Sequence, residues 1–223
     1  MACGPGRGCI IMIRAYPENY LSRAQALLGD AFDYAVNVLE MDGSAFVMLF
    51  VGSSVSRSME LGEPSYLQGK SGIDVVVDVI KETTGKTPAI TLQDRVERSA
   101  EYWVGWAVAY YHWYSDRKYR EIFSALPFED LLNMYLTLHE ADISKFVEIA
   151  EKAIRNHFPD TNLKRIRQMY GCTLAELAKR SGVGLRSIQM YEQRNKDINK
   201  AGVETVYRLA KVLGCSMEDL IEK

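Results

Sequence analysis

Between Thr173 and Gln193 the chain carries two short runs of helical periodicity on either side of a Gly-Val-Gly turn, and this stretch constrains the fold more than any other. Thr173 is placed to cap the first run. There Leu174, Leu177 and Ala178 recur at helical spacing, so one face is apolar and, at Ala178, small enough for a second helix to approach closely. Gly182 stops that run, because glycine takes the left-handed conformation that reverses the chain. Val183 plugs the inside of the turn. Gly184 then opens the second run, whose Ile188 and Tyr191 face inward and whose Leu185, Arg186, Ser187, Gln189 and Met190 are left facing outward.

A helix with a polar outer face and a rigid partner helix behind it is what the major groove of B-DNA admits, and Arg and Gln read base edges bidentately. The pattern therefore predicts a helix-turn-helix whose Leu185, Arg186, Ser187, Gln189 and Met190 read bases. Thr173, Asn195, Lys196 and Lys200 flank the second helix and are the expected phosphate contacts. By spacing, the segment resembles the lambda-repressor-like (Cro/CI, XRE) family from about Asn162 to the end, a little over a quarter of the chain. Ala178, Gly182, Val183, Ile188 and Glu192 carry that likeness. Leu163, Ile166 and Arg167 fit the family's first helix, Val203 to Leu213 its fourth and Met217 to Ile221 a fifth. The resemblance also implies an ion pair between Arg167 and Glu192 that locks the recognition helix to the first helix. Two positions depart from the family: Leu174 stands where a bracing Gln is usual, and Gly184 replaces a Ser or Thr cap, which weakens the cap by only about a few tenths of a kcal/mol.

Charge divides the chain in the same place. From Thr161 to Lys223 there are twelve Lys and Arg against seven Asp and Glu, a net of +5, while the remaining fifteen basic and twenty-two acidic residues give −7. Because phosphate neutralisation dominates protein–DNA affinity, only the C-terminal end is expected to touch nucleic acid. With 223 residues, 48% hydrophobic and 25% charged, there is material for one medium domain and one small one. No apolar run is long enough to span a bilayer, and Cys9 to Ile13 is too short for a signal-peptide core, so a cytoplasmic protein without membrane contact is expected. Cys3, Cys9, Cys172 and Cys215 are scattered without a Cys-x-x-Cys pair or a nearby His, which argues against a zinc site or a disulfide framework; Cys172 and Cys215 read as core.

Along the rest of the chain the reading is all-α. Residues 1–16 form a disordered tail in which Met12 is an alternative start, residues 17–158 an all-helical interaction or dimerisation domain, and residues 159–223 a five-helix DNA-binding domain, with Phe158 to Thr161 as a short hinge. Helices are expected from Glu18 to Leu39 with a bend or split at Gly29-Asp30, from Ala45 through Val55 and Met59 to Leu61, where Ala45 to Val51 taken alone also suits a buried strand, and from Ser71-Gly72 with Ile73, Val76, Val77 and Ile80 inward, a β-branched run that also suits a strand. Thr83 to Pro88 reads as a polar loop. Ser99 caps a helix to about Ser115 whose aromatic residues surround the cylinder, marking it as the hub of its domain. A base-stacking role for those rings would need exposed rings beside Lys and Arg, and only Arg117, Lys118 and Arg120 lie near. Two more helices start at Pro127 and near Asp142, the latter with Phe146, Ile149, Ala150 and Ile154 on its apolar face.

No catalytic constellation stands out. His139-Glu140-Ala141-Asp142 lacks the second His that a metalloprotease helix needs, and Gly69-Lys70-Ser71 lacks the strand and glycine of a phosphate loop. No catalytic residue, metal or cofactor is expected. The expected function is a sequence-specific double-stranded DNA-binding transcription regulator, most simply a repressor acting as a homodimer. The alternative is an antitoxin-like protein whose N-terminal domain binds a protein partner.

Overall fold

The aromatic run from Tyr102 to Tyr114 forms one helix, Ala100–Ser115, and the N-terminal helices gather around it. The computed structural model describes residues 14–90 and 98–222. The chain divides into two compact units, Met1–His157 and Phe158–Lys223. Unit 1 contains α1 (Leu21–Asp33), α2 (Gly43–Gly52), α3 (Ser54–Glu60), α4 (Pro64–Leu67), α5 (Gly72–Thr84), α6 (Ala100–Ser115), α7 (Tyr119–Ala125), α8 (Phe128–Leu138) and α9 (Ile143–His157). Unit 2 contains α10 (Asn162–Met169), α11 (Leu174–Ser181), α12 (Leu185–Glu192) and α13 (Val203–Leu213). No strand occurs among the described residues, and the fold is all-α.

In unit 1 the main packing is α1 against α6, brought close by two glycines. A Cβ on Gly105 would sit 2.3 Å from the carbonyl oxygen of Leu28, and one on Gly29 would sit 2.8 Å from the Tyr102 ring. Gly29 therefore does not bend α1, as its sequence context suggested; it makes room for an aromatic ring. Phe32, Phe46, Phe50, Phe123 and Phe128 close the other side, with Phe32 stacked on Phe128 at 5.7 Å and edge-on to Phe46 at 5.1 Å.

Several sequence expectations change in this unit. The expected tail does not reach Tyr16, because Ala15 N–H donates to Trp113 O at 3.1 Å and Trp113 Nε1–H to Tyr16 O at 2.9 Å. The remainder of the tail, with Met12, Cys3 and Cys9, lies outside the described residues. The first long helix is preceded by a 3-10 turn, Glu18–Tyr20, and its end widens into a π turn, Tyr34–Val38. The expected single helix through Leu61 is broken at Ser53, whose extended backbone (ψ 161) separates α2 from α3, and Leu61 itself is exposed. In α5 the buried stripe is Val75, Val76, Val79 and Ile80, with Ile73 and Val77 only half-buried. Thr83 and Thr84, read as loop, finish this helix by donating back to Val79 O and Ile80 O. Ile149 on α9 is exposed while Val147 is buried, and α7 was not anticipated.

Unit 2 has its own core, built on Leu163, Leu177, Ile188, Tyr191, Leu209 and Leu213. Cys172 is buried in it and Cys215 packs against it, both as free thiols. The stretch Met217–Ile221, expected as a fifth helix, is a single turn: Leu220 N–H donates to Met217 O at 3.1 Å, after Ser216 and Asp219 satisfy one another. Leu220 is nevertheless fully buried, so the turn still closes the core.

Candidate nucleic-acid interface

The geometry of unit 2 starts at Thr173, whose Oγ accepts from Glu176 N–H at 3.2 Å while Glu176 Oε2 accepts from Thr173 N–H at 2.8 Å. This reciprocal cap satisfies donors that the first turn of α11 would otherwise leave unpaired. The hydrogen bonds from Thr173 hold the Glu176 carboxyl below its ordinary range. At the other end Gly182 has φ 68, and the Gly182 N–H closes on Ala178 O at 2.9 Å. The chain reverses there, Val183 is buried, and Gly184 begins α12 without a side-chain cap.

Ile188 and Tyr191 fix α12 in the core, which leaves Leu185, Arg186 and Gln189 exposed and Ser187 and Met190 half-buried at the edge of the same face. Among the described residues, no hydrogen bond or ion pair engages the Arg186 guanidinium or the Gln189 amide, so their donors are available to a ligand. The far end of α12 is held from behind. Arg167 Nε donates to Glu192 Oε1 at 2.6 Å and Arg167 Nη2 to Glu192 Oε2 at 2.9 Å, while Arg167 Nη1 reaches Cys172 O at 2.7 Å. The pair is shielded, at 11% and 6% side-chain exposure, and the bonds to Glu192 raise the arginine above its ordinary value. One guanidinium thus joins α10, the turn before α11 and the end of α12.

Residues 163–220 match the family model described as helix-turn-helix. Unit 2 is a DNA-binding domain of the Cro/CI, XRE type. No curated protein and no solved structure matches the chain.

Around this helix-turn-helix the expected phosphate contacts differ in what they have to offer. Lys196 and Lys200 are exposed; Lys196 Nζ lies 5.3 Å from the Tyr191 ring centroid and Lys200 Nζ 3.8 Å from Asp197. Asn195 donates to Gln193 Oε1 at 3.1 Å. Thr173 has no free donor, since both its N–H and its hydroxyl go to Glu176. Sequence reasoning passed over three further cations. Arg180 donates to Tyr170 Oη at 3.0 Å, and Arg208 pairs with Glu204 in a groove of about 280 Å³ beside Lys196 and the Gly182–Gly184 turn. Arg194, just past α12, is the third. The i, i+4 spacing of Glu204 and Arg208 was a usable signal, whereas the partners of Arg180 and Arg194 lie far away in sequence.

Unit 1 carries a groove of about 290 Å³ lined by Tyr102, Trp103, Trp106, Tyr135 and His139, with Arg98 over the Tyr102 ring at 4.7 Å. His139 stacks on Tyr135, and its Nδ1 is 2.7 Å from Tyr135 O. Asp142 Oδ1 accepts from Ser144 N–H at 2.8 Å, a helix-end role. No group of three or more His, Cys, Asp or Glu side chains that would hold a metal occurs among the described residues. No helix among them is long and apolar enough to cross a membrane.

Proposed function

We propose that this chain is a cytoplasmic, sequence-specific regulator of transcription that represses by occupying a two-fold operator as a homodimer. The observation that carries the reading is the outer face of α12, where Arg186 and Gln189 have free donors on a helix held from behind by the shielded Arg167–Glu192 pair. A rigid helix with uncommitted bidentate donors suits base edges in the major groove. Lys196, Lys200 and Asn195 then take phosphates, and Thr173 serves the helix cap instead. A lone unit of this size makes few contacts, so the N-terminal unit supplies the second copy and has no catalytic task.

The test is selection of duplex DNA from random sequence by the intact protein, with solution mass measured alongside. An enriched palindrome bound by a dimer supports the reading. No enrichment, or a monomer that binds as tightly to any duplex, overturns it.

A second reading is an antitoxin-like protein whose N-terminal unit captures another protein. Under that reading the intact chain copurifies with a single stoichiometric partner and is not a homodimer without it.

A further inference from the structure

Arg194 stands two residues beyond the end of the recognition helix with φ 55, in the left-handed region that side chains other than Asn, Asp and His rarely occupy. That backbone turn throws its guanidinium back onto the segment by which the chain enters unit 2. Nη1 donates to Pro159 O at 2.5 Å, and Nη2 reaches Phe158 O and Asp160 O at 3.4 Å and Glu222 Oε2 at 3.2 Å. The other oxygen of Glu222 accepts from Asn162 N–H at 2.6 Å, the first residue of α10. The Glu222 backbone in turn exchanges two bonds with the Asn199 amide, at 2.5 and 2.9 Å. Linker carbonyls, the start of α10 and the turn that follows α12 are thereby gathered on one arginine–glutamate pair.

The arrangement does more than a surface ion pair would. A half-exposed Arg–Glu pair alone contributes little. Here the planar fork also collects successive carbonyls from a segment containing Pro159, whose fixed φ already restricts it. A phosphate-binding cation has the opposite character, with donors left open toward solvent as in Lys196.

We propose that Arg194 is a positioning residue that sets half-site spacing: by clamping residues 158–160 to the end of the recognition helix, it fixes the point at which the linker leaves the DNA-binding unit. A two-fold contact made elsewhere in the chain is then transmitted as a defined distance between two recognition helices. Without the clamp the linker swings, and half-sites at several separations are reached. This rests on the homodimeric DNA-binding reading above.

The experiment measures the affinity of the intact protein for palindromic half-sites, taken from its selected sequence, separated by a graded series of spacers. The wild type, Arg194→Lys and Glu222→Gln are compared, each first checked for wild-type helicity and dimer mass. Arg194→Lys keeps the charge and loses the fork; Glu222→Gln keeps the shape and loses the counter-charge. The wild type is expected to prefer one spacing, and both variants to lose that preference while still binding at the optimum. Variants that keep the wild-type spacing profile overturn the proposal. A uniform loss across all spacers for Arg194→Lys, or uniform tightening for Glu222→Gln, assigns Arg194 to a phosphate or to the fold alone and also overturns it. A wild type that dimerises and binds palindromes with no spacing preference refutes the clamp alone, whereas a wild type that does not select DNA refutes the functional reading beneath it.

Discussion

Arg167 and Arg186 lie on the same small domain with opposite commitments: every nitrogen of Arg167 is engaged by Glu192 or Cys172, and no described residue engages Arg186. On the proposed reading the free arginine reads sequence, so Arg186→Ala is expected to cost about 1–3 kcal/mol at one or two base positions and leave other positions unchanged, which a substitution series across the operator resolves. Equal weakening on every duplex would place Arg186 on a phosphate. For the committed arginine the expected effect is on the fold. Glu192→Ala leaves a shielded guanidinium unpaired and should destabilise unit 2 by about 3–5 kcal/mol in denaturant melts. Melting within about 1 kcal/mol of wild type would show the pair to be solvated instead. Thr173→Ala provides a third contrast. Its donors serve Glu176, so the variant should lose about 1 kcal/mol of stability through the cap while the salt dependence of DNA binding stays put. A shallower slope would show that Thr173 lets go of Glu176 to meet a phosphate.

Where α1 meets α6, glycine removes a side chain on each helix, at Gly29 and Gly105. Gly105→Ala puts a methyl group 2.3 Å from the Leu28 carbonyl, an immovable neighbour, so α1 and α6 must separate. The variant is expected to lower the melting of unit 1 by more than about 1–3 kcal/mol with the DNA-binding unit still folded, seen as early loss of tryptophan signal, since Trp103, Trp106 and Trp113 all belong to α6. Unchanged melting would mean that the crossing relaxes without cost. Element boundaries were legible in the sequence where they depend on local chemistry. Thr173, Ser71 and Ser99 each cap the helix they precede, and Gly182 ends α11, because a cap or a left-handed stop involves only residues a turn away. Which face of a helix is buried was less legible. Val75, Val76, Val77, Val79 and Ile80 offer two nearly equal apolar stripes, and the surroundings of α5 choose between them. The break at Ser53 and the turn at Met217 are set by short hydrogen bonds of Ser53 to Phe50 O and of Ser216 with Asp219, which hydrophobic periodicity does not contain. In the DNA-binding unit the Arg167–Glu192 pair was reachable only through resemblance, and the Arg194 clamp not at all, since its partners lie on residues 158–160 and Glu222.

On the scale of the whole chain, a C-terminal end of net +5 is joined to a remainder of net −7, so on the proposed reading contact with a polyanion is expected at the C-terminal end. Lys196→Ala and Lys200→Ala should each weaken binding to all sequences alike and reduce the slope of log affinity against log salt by roughly one unit. Because Lys200 lies near Asp197, a smaller change there than at Lys196 is the expected order. No change in slope for either would remove them from the phosphate path. The crossing of α1 on α6 also has a consequence for how the protein is made. Leu28 and Gly105 touch across a long stretch of sequence, so during synthesis α1 emerges well before the helix that covers it. At about 5–20 residues per second that wait is roughly 4 to 15 seconds, during which the face of α1 around Leu28 and Gly29 lacks the α6 surface that covers it. The face of α1 that α6 covers is therefore expected to stay open to water for that interval, and the yield of folded protein should respond to translation speed between α1 and α6, which expression with slow or fast codons in that stretch measures.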